Sequence, residues 1–187
     1  MSSLIPSARD LREHLSDPDA HYEIVDGRIQ EIPSKGMFST LVGLRLCEQI
    51  ASHVEPRRLG VVIFKALFIL DASRPLLLRP DVAFVSAERW PLDRLIPEIG
   101  DWEVIPDLAI EVMSPNDVEL DVQQKLKEYL AAGVKQVWHV RPLVRNVMVY
   151  RSLRDVKIFT AADQIEAENL LPGLRIDLGP IFRTTVG

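Results

Sequence analysis

Pro106-Asp107-Leu108-Ala109-Ile110-Glu111-Val112-Met113-Ser114-Pro115 is an apolar run with strand character that carries an acid near its end. A second such run, Arg79-Pro80-Asp81-Val82-Ala83-Phe84-Val85, carries its acid near the start. An ordinary buried strand avoids carboxylates, because burial is costly unless the acid is paired or bound to metal. Two of them on neighbouring strands are more readily explained by a cation than by packing.

Outward from these strands the chain alternates between helix and strand signals. Ser114-Pro115-Asn116-Asp117 breaks the Glu111 strand, and a helix is expected from about Val118 to Ala132, stopped by Gly133. Strands follow at Gln136–Val140, Val147–Tyr150 and Val156–Thr160. Upstream, Asp26-Gly27 joins Tyr22–Val25 to Arg28–Ile32 in a predicted hairpin. Met37, Leu41, Leu44, Cys47 (or Leu46), Ile50 and Val54 recur at helical steps, so residues 37–54 read as a long helix, ended by Glu55-Pro56. Gly60 opens a β-rich run over Val61–Leu70. Ser7–Leu15 reads as a short capped helix, and Leu171–Leu178 as an edge segment. Residues 86–105, with Trp90 and Trp102, read as a loop with helical pieces: either a functional insertion or a surface excursion packed by the tryptophans. The layout is α/β, a central sheet flanked by two main helices, in one domain over residues 1–187.

Composition narrows the function. The chain is 47% hydrophobic and 26% charged, as in soluble globular proteins. No apolar run approaches the ~20 residues that span a membrane. The first residues lack the basic and apolar segments of a signal peptide. A single cysteine, Cys47, excludes an internal disulfide framework and fits a reducing, cytoplasmic setting. The net charge of -5 argues against strong nonspecific nucleic-acid binding, but leaves room for a local basic groove or an acidic site neutralised by a divalent cation.

Asp81, Glu111 and the Val112 carbonyl together offer the hard oxygen ligands that Mg²⁺ prefers. On the helix after Glu111, Val118, Val122, Leu126 and Leu130 form an apolar stripe, and Asp121, Lys125 and Tyr129 form a second stripe beside it. Lys125 either aims back at the acids or makes an ordinary surface pair with Asp121. His14, His21, His53 and His139 show no ligand spacing. An inward-facing His139 would be a satisfied core histidine. Ser114 has no evident base partner, and no glycine-rich phosphate loop appears. Arg57, Arg58 and Lys65 read as a solvated cluster with some capacity for phosphate contact.

The order of Tyr22–Ile29, the Asp81 and Glu111 motifs, Asp121-Lys125-Tyr129, Gly133-Val134, Val137-Trp138 and Leu171-Pro172-Gly173-Leu174 resembles a large restriction endonuclease-like family of uncharacterised bacterial proteins. That family lies within the PD-(D/E)XK nuclease superfamily, and the resemblance spans nearly the whole chain. It implies a restriction-endonuclease-like core with a mixed sheet. It also implies that Asp81 and Glu111 are the metal-binding acids. The superfamily lysine two residues after the second acid is Met113 here, and the resemblance moves that role to Lys125; Lys127 points about 200° away on a regular helix. Glu23 matches an auxiliary N-terminal acid, or else is a solvent-facing hairpin residue. The family's histidine at the start of the long helix is replaced within Met37-Phe38-Ser39, and its aspartate after the tryptophan strand by Arg141.

The resulting expectation is a Mg²⁺- (or Mn²⁺-) dependent endonuclease acting on nucleic acid, with DNA favoured. Asp81, Glu111, Lys125 and Glu23 are catalytic and Asp81, Glu111 and Val112 bind the metal. The expected enzyme has no membrane association and can pair as a homodimer. The rivals are a catalytically inactive nuclease-fold binding module and a hydrolase of smaller phosphoesters.

Overall fold

The computed structural model describes residues 21–185 apart from 26, 33–34, 72, 99–100 and 116; the Ser7–Leu15 helix expected from sequence lies outside them. A hairpin, β1 (Tyr22–Val25) and β2 (Arg28–Glu31), is followed by helix α1 (Met37–Val54). Next come β3 (Gly60–Phe64), β4 (Phe68–Asp71), β5 (Leu76–Leu78), β6 (Val82–Ser86) and β7 (Leu108–Val112). Helix α2 (Glu119–Ala132) leads to β8 (Gln136–Arg141), β9 (Asn146–Ser152), β10 (Asp155–Thr160), β11 (Gln164–Glu166), β12 (Arg175–Asp177) and the single turn α3 (Leu178–Ile181).

The central sheet has six strands in the order β10-β9-β8-β7-β6-β3. Only β7 and β8 run parallel, because α2 carries the chain from the end of one strand back to the start of the next. A four-stranded sheet, β2-β1-β5-β4, packs beside it, and β11 pairs with β12. The β-rich run 61–70 is therefore two strands in two sheets. The chain changes sheet at Lys65, whose φ is 55°.

Alternation assigns the sheet faces. Val82, Phe84, Leu108, Ile110, Val112, Trp138 and Val140 form one core with Val42, Leu46, Ile50 and Val54 of α1. Ala83, Val85, Ala109 and Val137 point the other way, into a core shared with Leu126 and Tyr129 of α2 and with the second sheet. Asp81, Glu111 and His139 continue that second set at the period of two, which puts them on the α2 face.

Helix α1 has the expected bounds but a different buried stripe: Ser39, Val42, Gly43, Leu46, Ile50, His53 and Val54. Met37 and Leu44, counted on the apolar face from sequence, are exposed. Small residues set the contact line. A Cβ on Gly43 would lie 3.3 Å from the Phe64 ring and 3.5 Å from Val112 Cγ2, so the glycine allows α1 to approach the sheet closely. Helix α2 ends as expected at Gly133, whose φ of 97° favours glycine. Among the described residues 86–105 contain no helix; Trp102 bridges to Phe68 and meets Trp90 edge-on at 5.1 Å, the tryptophan-packed excursion. Among the described residues no helix is long and apolar enough to cross a membrane.

Candidate active site

The antiparallel register pairs Val82 with Ile110 and Ala83 with Ala109, so one further step sets Asp81 opposite Glu111. On the other side of β7, Glu111 stands beside His139 of β8. The two acids thus occupy adjacent positions on one sheet face, and both are buried. Asp81 Oδ2 accepts the Val112 N–H at 2.7 Å, which ties the first acid to the strand of the second. Glu111 Oε1 accepts the Tyr129 hydroxyl at 2.8 Å, which fixes its carboxylate from α2.

Glu23, on β1 of the second sheet, is 1% exposed, so the solvent-facing hairpin reading is wrong. The strand turns its side chain inward, where one oxygen accepts the Arg79 N–H at 2.8 Å and the other pairs with Lys125. Lys125 therefore reaches the site rather than remaining a surface residue, while Lys127 is exposed on the far side of α2. Tyr129, one turn further, is fully buried. The second helical stripe, Lys125 and Tyr129, faces the acids, while Asp121 stays exposed at the cleft mouth.

Lys35 carries no signal in the sequence. It lies between the hairpin and α1, and its ammonium pairs with Asp81 Oδ2, donates to the Val112 carbonyl at 2.6 Å and lies 4.0 Å from Glu111 Oε2. These are the three oxygen donors assigned to a metal from sequence. At the start of α1, the Ser39 hydroxyl donates to the Met113 carbonyl at 3.1 Å, holding this helix end against the end of β7. Lys35 contacts Asp81 and Val112 across sequence separations of 46 and 77 residues, so no local pattern could reveal it.

Burial pushes the Glu111 carboxyl up to about 7; Asp81 and Glu23 add to the rise, against the opposing pull of Lys125 and Lys35. Burial alone would pull the two ammoniums down. For Lys125, Glu111 and Glu23 outweigh it and hold the group well above the usual lysine value. For Lys35, Asp81 and Glu111 likewise outweigh it and raise the group. Burial, with Glu111 next, raises the Tyr129 hydroxyl, which stays protonated as a donor. The site is a cluster of three buried acids faced by two lysines that remain charged.

These groups line a cleft of about 640 Å³, whose wall also includes Lys65, Arg79, Met113 and Asp117. The Lys65 N–H donates to the Asp81 carbonyl at 3.0 Å, and the Arg79 guanidinium holds the Lys65 carbonyl at 2.8 Å. The kinked segment is thus stitched to the Asp81 motif, and Lys65 belongs to the cleft wall. His139 faces inward, but its Nε2 has no hydrogen-bond partner among the described residues, so it is not the satisfied core histidine expected. Burial draws its pKa down to about 4.

The donor set fits a hard divalent cation: two carboxylates and a carbonyl already converge on one positive group, the Lys35 ammonium. Among the described residues no group of three His, Cys, Asp or Glu side chains is placed to hold a metal ion.

The sequence model of the Uma2 family, described as "Putative restriction endonuclease", matches residues 8–179. The chain belongs to this family. Membership supports a nuclease-like function. The fold is similar to that of "a putative nuclease belonging to DUF820" from Anabaena variabilis, with a TM-score of 0.80 at 20% identity, covering 95% of this chain and 97% of that one. No curated protein matches the sequence.

Proposed function

We propose that the chain is a divalent-metal-dependent endonuclease that hydrolyses phosphodiester bonds of nucleic acid, with DNA favoured. The observation that carries the reading is the convergence of Asp81, Glu111 and the Val112 carbonyl on one cation position in a family of nuclease-like proteins. Mg²⁺ or Mn²⁺ held by those three groups would lower the pKa of an attacking water and offset charge growing on the phosphate.

The remaining work falls to the chain's own residues. Tyr129 orients Glu111 so that Oε2 faces the cation position while Oε1 stays tied to α2. The Val112 N–H orients Asp81 through Oδ2, the same oxygen that meets the cation position. Lys125 keeps its proton, so it serves as a fixed positive charge and hydrogen-bond donor for the phosphate and not as a general base. Glu23 positions Lys125. Lys65 and Arg79 add positive charge to the cleft wall, where the sugar-phosphate chain would pass. An Asp81 carbonyl anchored to the Lys65 N–H keeps that wall in register with the metal ligands.

Plasmid DNA and single-stranded DNA, incubated with Mg²⁺ or Mn²⁺, test the proposal. Wild type cleaves and Asp81→Ala does not; cleavage that survives the substitution removes the mechanism. The second reading, an inactive nuclease-fold module, draws on Met113 in the usual lysine position and on Lys35 within the oxygen donors. Calorimetric titration separates the two, since the module takes up no metal at millimolar concentration.

A further inference from the structure

The Lys35 ammonium sits among the oxygens that the proposed metal requires. It pairs with Asp81, donates to the Val112 carbonyl at 2.6 Å, and lies 4.0 Å from Glu111 Oε2. A Mg²⁺ ion bonds oxygen at about 2.0–2.1 Å and Mn²⁺ serves such octahedral oxygen sites too, so neither can share this position with an ammonium. Lys35 enters from the segment before α1, while the other groups stand on sheet strands and on α2. It can therefore leave without disturbing Asp81, whose Oδ2 keeps the Val112 N–H, or Glu111, whose Oε1 keeps the Tyr129 hydroxyl.

Charge favours the exchange. With Glu111 ionised, as a metal ligand must be, Glu23, Asp81 and Glu111 bring three negative charges, and Lys35 and Lys125 bring two positive ones. One negative charge is left over. A divalent cation in place of the Lys35 ammonium balances the set.

We propose that Lys35 is an exchangeable counter-cation of this site: its ammonium closes the oxygen triad in the metal-free protein, and a divalent cation binds only by displacing it. This rests on the metal-site reading above and adds the residue that sets the affinity of the site. It also gives the metal-free protein a closed state, with the oxygen triad filled from within and the cleft floor occupied. Displacement frees Lys35 into a cleft that already holds Lys65, Arg79 and Lys125, a positive rim for an anionic substrate.

The test is Mn²⁺ titration by calorimetry of wild type, Lys35→Met, Lys65→Met and Asp81→Asn. A closed state populated at nine-tenths or more weakens apparent affinity about tenfold, so Lys35→Met should bind Mn²⁺ about tenfold tighter or better. Lys65→Met removes a charge from the same cleft without vacating the triad and should change affinity little; an equal gain in both variants would show general electrostatics and overturn the proposal. Unchanged or weaker binding by Lys35→Met overturns it while leaving the metal site intact. No binding by any protein, Lys35→Met included, removes the metal site as well, and binding that survives Asp81→Asn places the metal elsewhere. Wild type supplies an independent readout should Lys35→Met fail to fold. Acetylation of Lys35, measured by mass spectrometry, should rise severalfold when Mn²⁺ saturates the protein, and an unchanged rate would refute displacement.

Discussion

Replacing Lys125 by methionine isolates the pairing on which the α2 side of the site depends. The change keeps the length and apolar stem of the side chain but removes the ammonium paired with Glu23, which is 1% exposed. Breaking a buried ion pair from one side costs about 3–5 kcal/mol, because the remaining charge is left uncompensated. Two features reduce that figure here: the Lys125 side chain keeps 18% exposure, and Lys35 still faces Glu111. A loss of about 2–3 kcal/mol is expected for Lys125→Met in metal-free protein. Glu23→Gln should cost about 1 kcal/mol, since the amide oxygen can still accept the Arg79 N–H and Lys125 keeps Glu111 nearby. The double variant has no orphaned Glu23 charge, so its loss should fall short of the sum by about 1–2 kcal/mol. Urea unfolding of the four proteins at pH 7.5 and low salt measures the cycle. Additivity within about 0.5 kcal/mol, or a Lys125→Met variant as stable as wild type, would show that the pair is not coupled and would undo the reasoning.

Tyr129→Phe deletes the hydroxyl that donates to Glu111 and should lower stability by about 1–3 kcal/mol, read by the same unfolding assay, with weakened Mn²⁺ affinity as the functional signature. His139, buried beside Tyr150 with Arg141 and Glu119 as its charged neighbours, is held near pKa 4 in the folded chain against about 6.5 when unfolded. The unfolded state then binds the extra proton between those values, so this contribution to stability is complete above about pH 6.5 and is lost as pH falls to about 4. In His139→Phe that part of the acid sensitivity should vanish, which denaturation midpoints across pH 4–7 would reveal. Asp107 is held by Arg89 at 3.0 Å, Lys135 at 2.8 Å and the Ser86 N–H at 2.8 Å, so Asp107→Ala should cost about 3 kcal/mol without altering metal affinity.

The strands and the two long helices were legible because they depend on local pattern. Period-two runs gave β6 and β7, the Asp-Gly pair gave the β1–β2 hairpin, and Gly133 gave the end of α2. The acids stood out for the same reason, as charges in otherwise apolar strands. The phase of α1 was not legible, because counting large apolar residues favoured Met37 and Leu44 while the contact line runs through Ser39 and Gly43. The sheet change at Lys65 was also hidden, since both halves of the 61–70 run look alike in composition. Lys35 shows where local reading ends. Its role comes from chain segments far apart in sequence, brought together only when β6, β7 and the entry to α1 assemble. Glu23 lay between the two cases: its position on the hairpin was evident, but burial by the cleft was not.

The central claim is that Asp81, Glu111 and the Val112 carbonyl form one cation site now closed by Lys35. A crystal soaked in Mn²⁺ and measured at the manganese absorption edge tests it most directly. The account predicts an anomalous peak bonded to those three oxygens, with the Lys35 ammonium moved out of the triad. A peak bound elsewhere, or a triad still filled by Lys35 at saturating Mn²⁺, would contradict it.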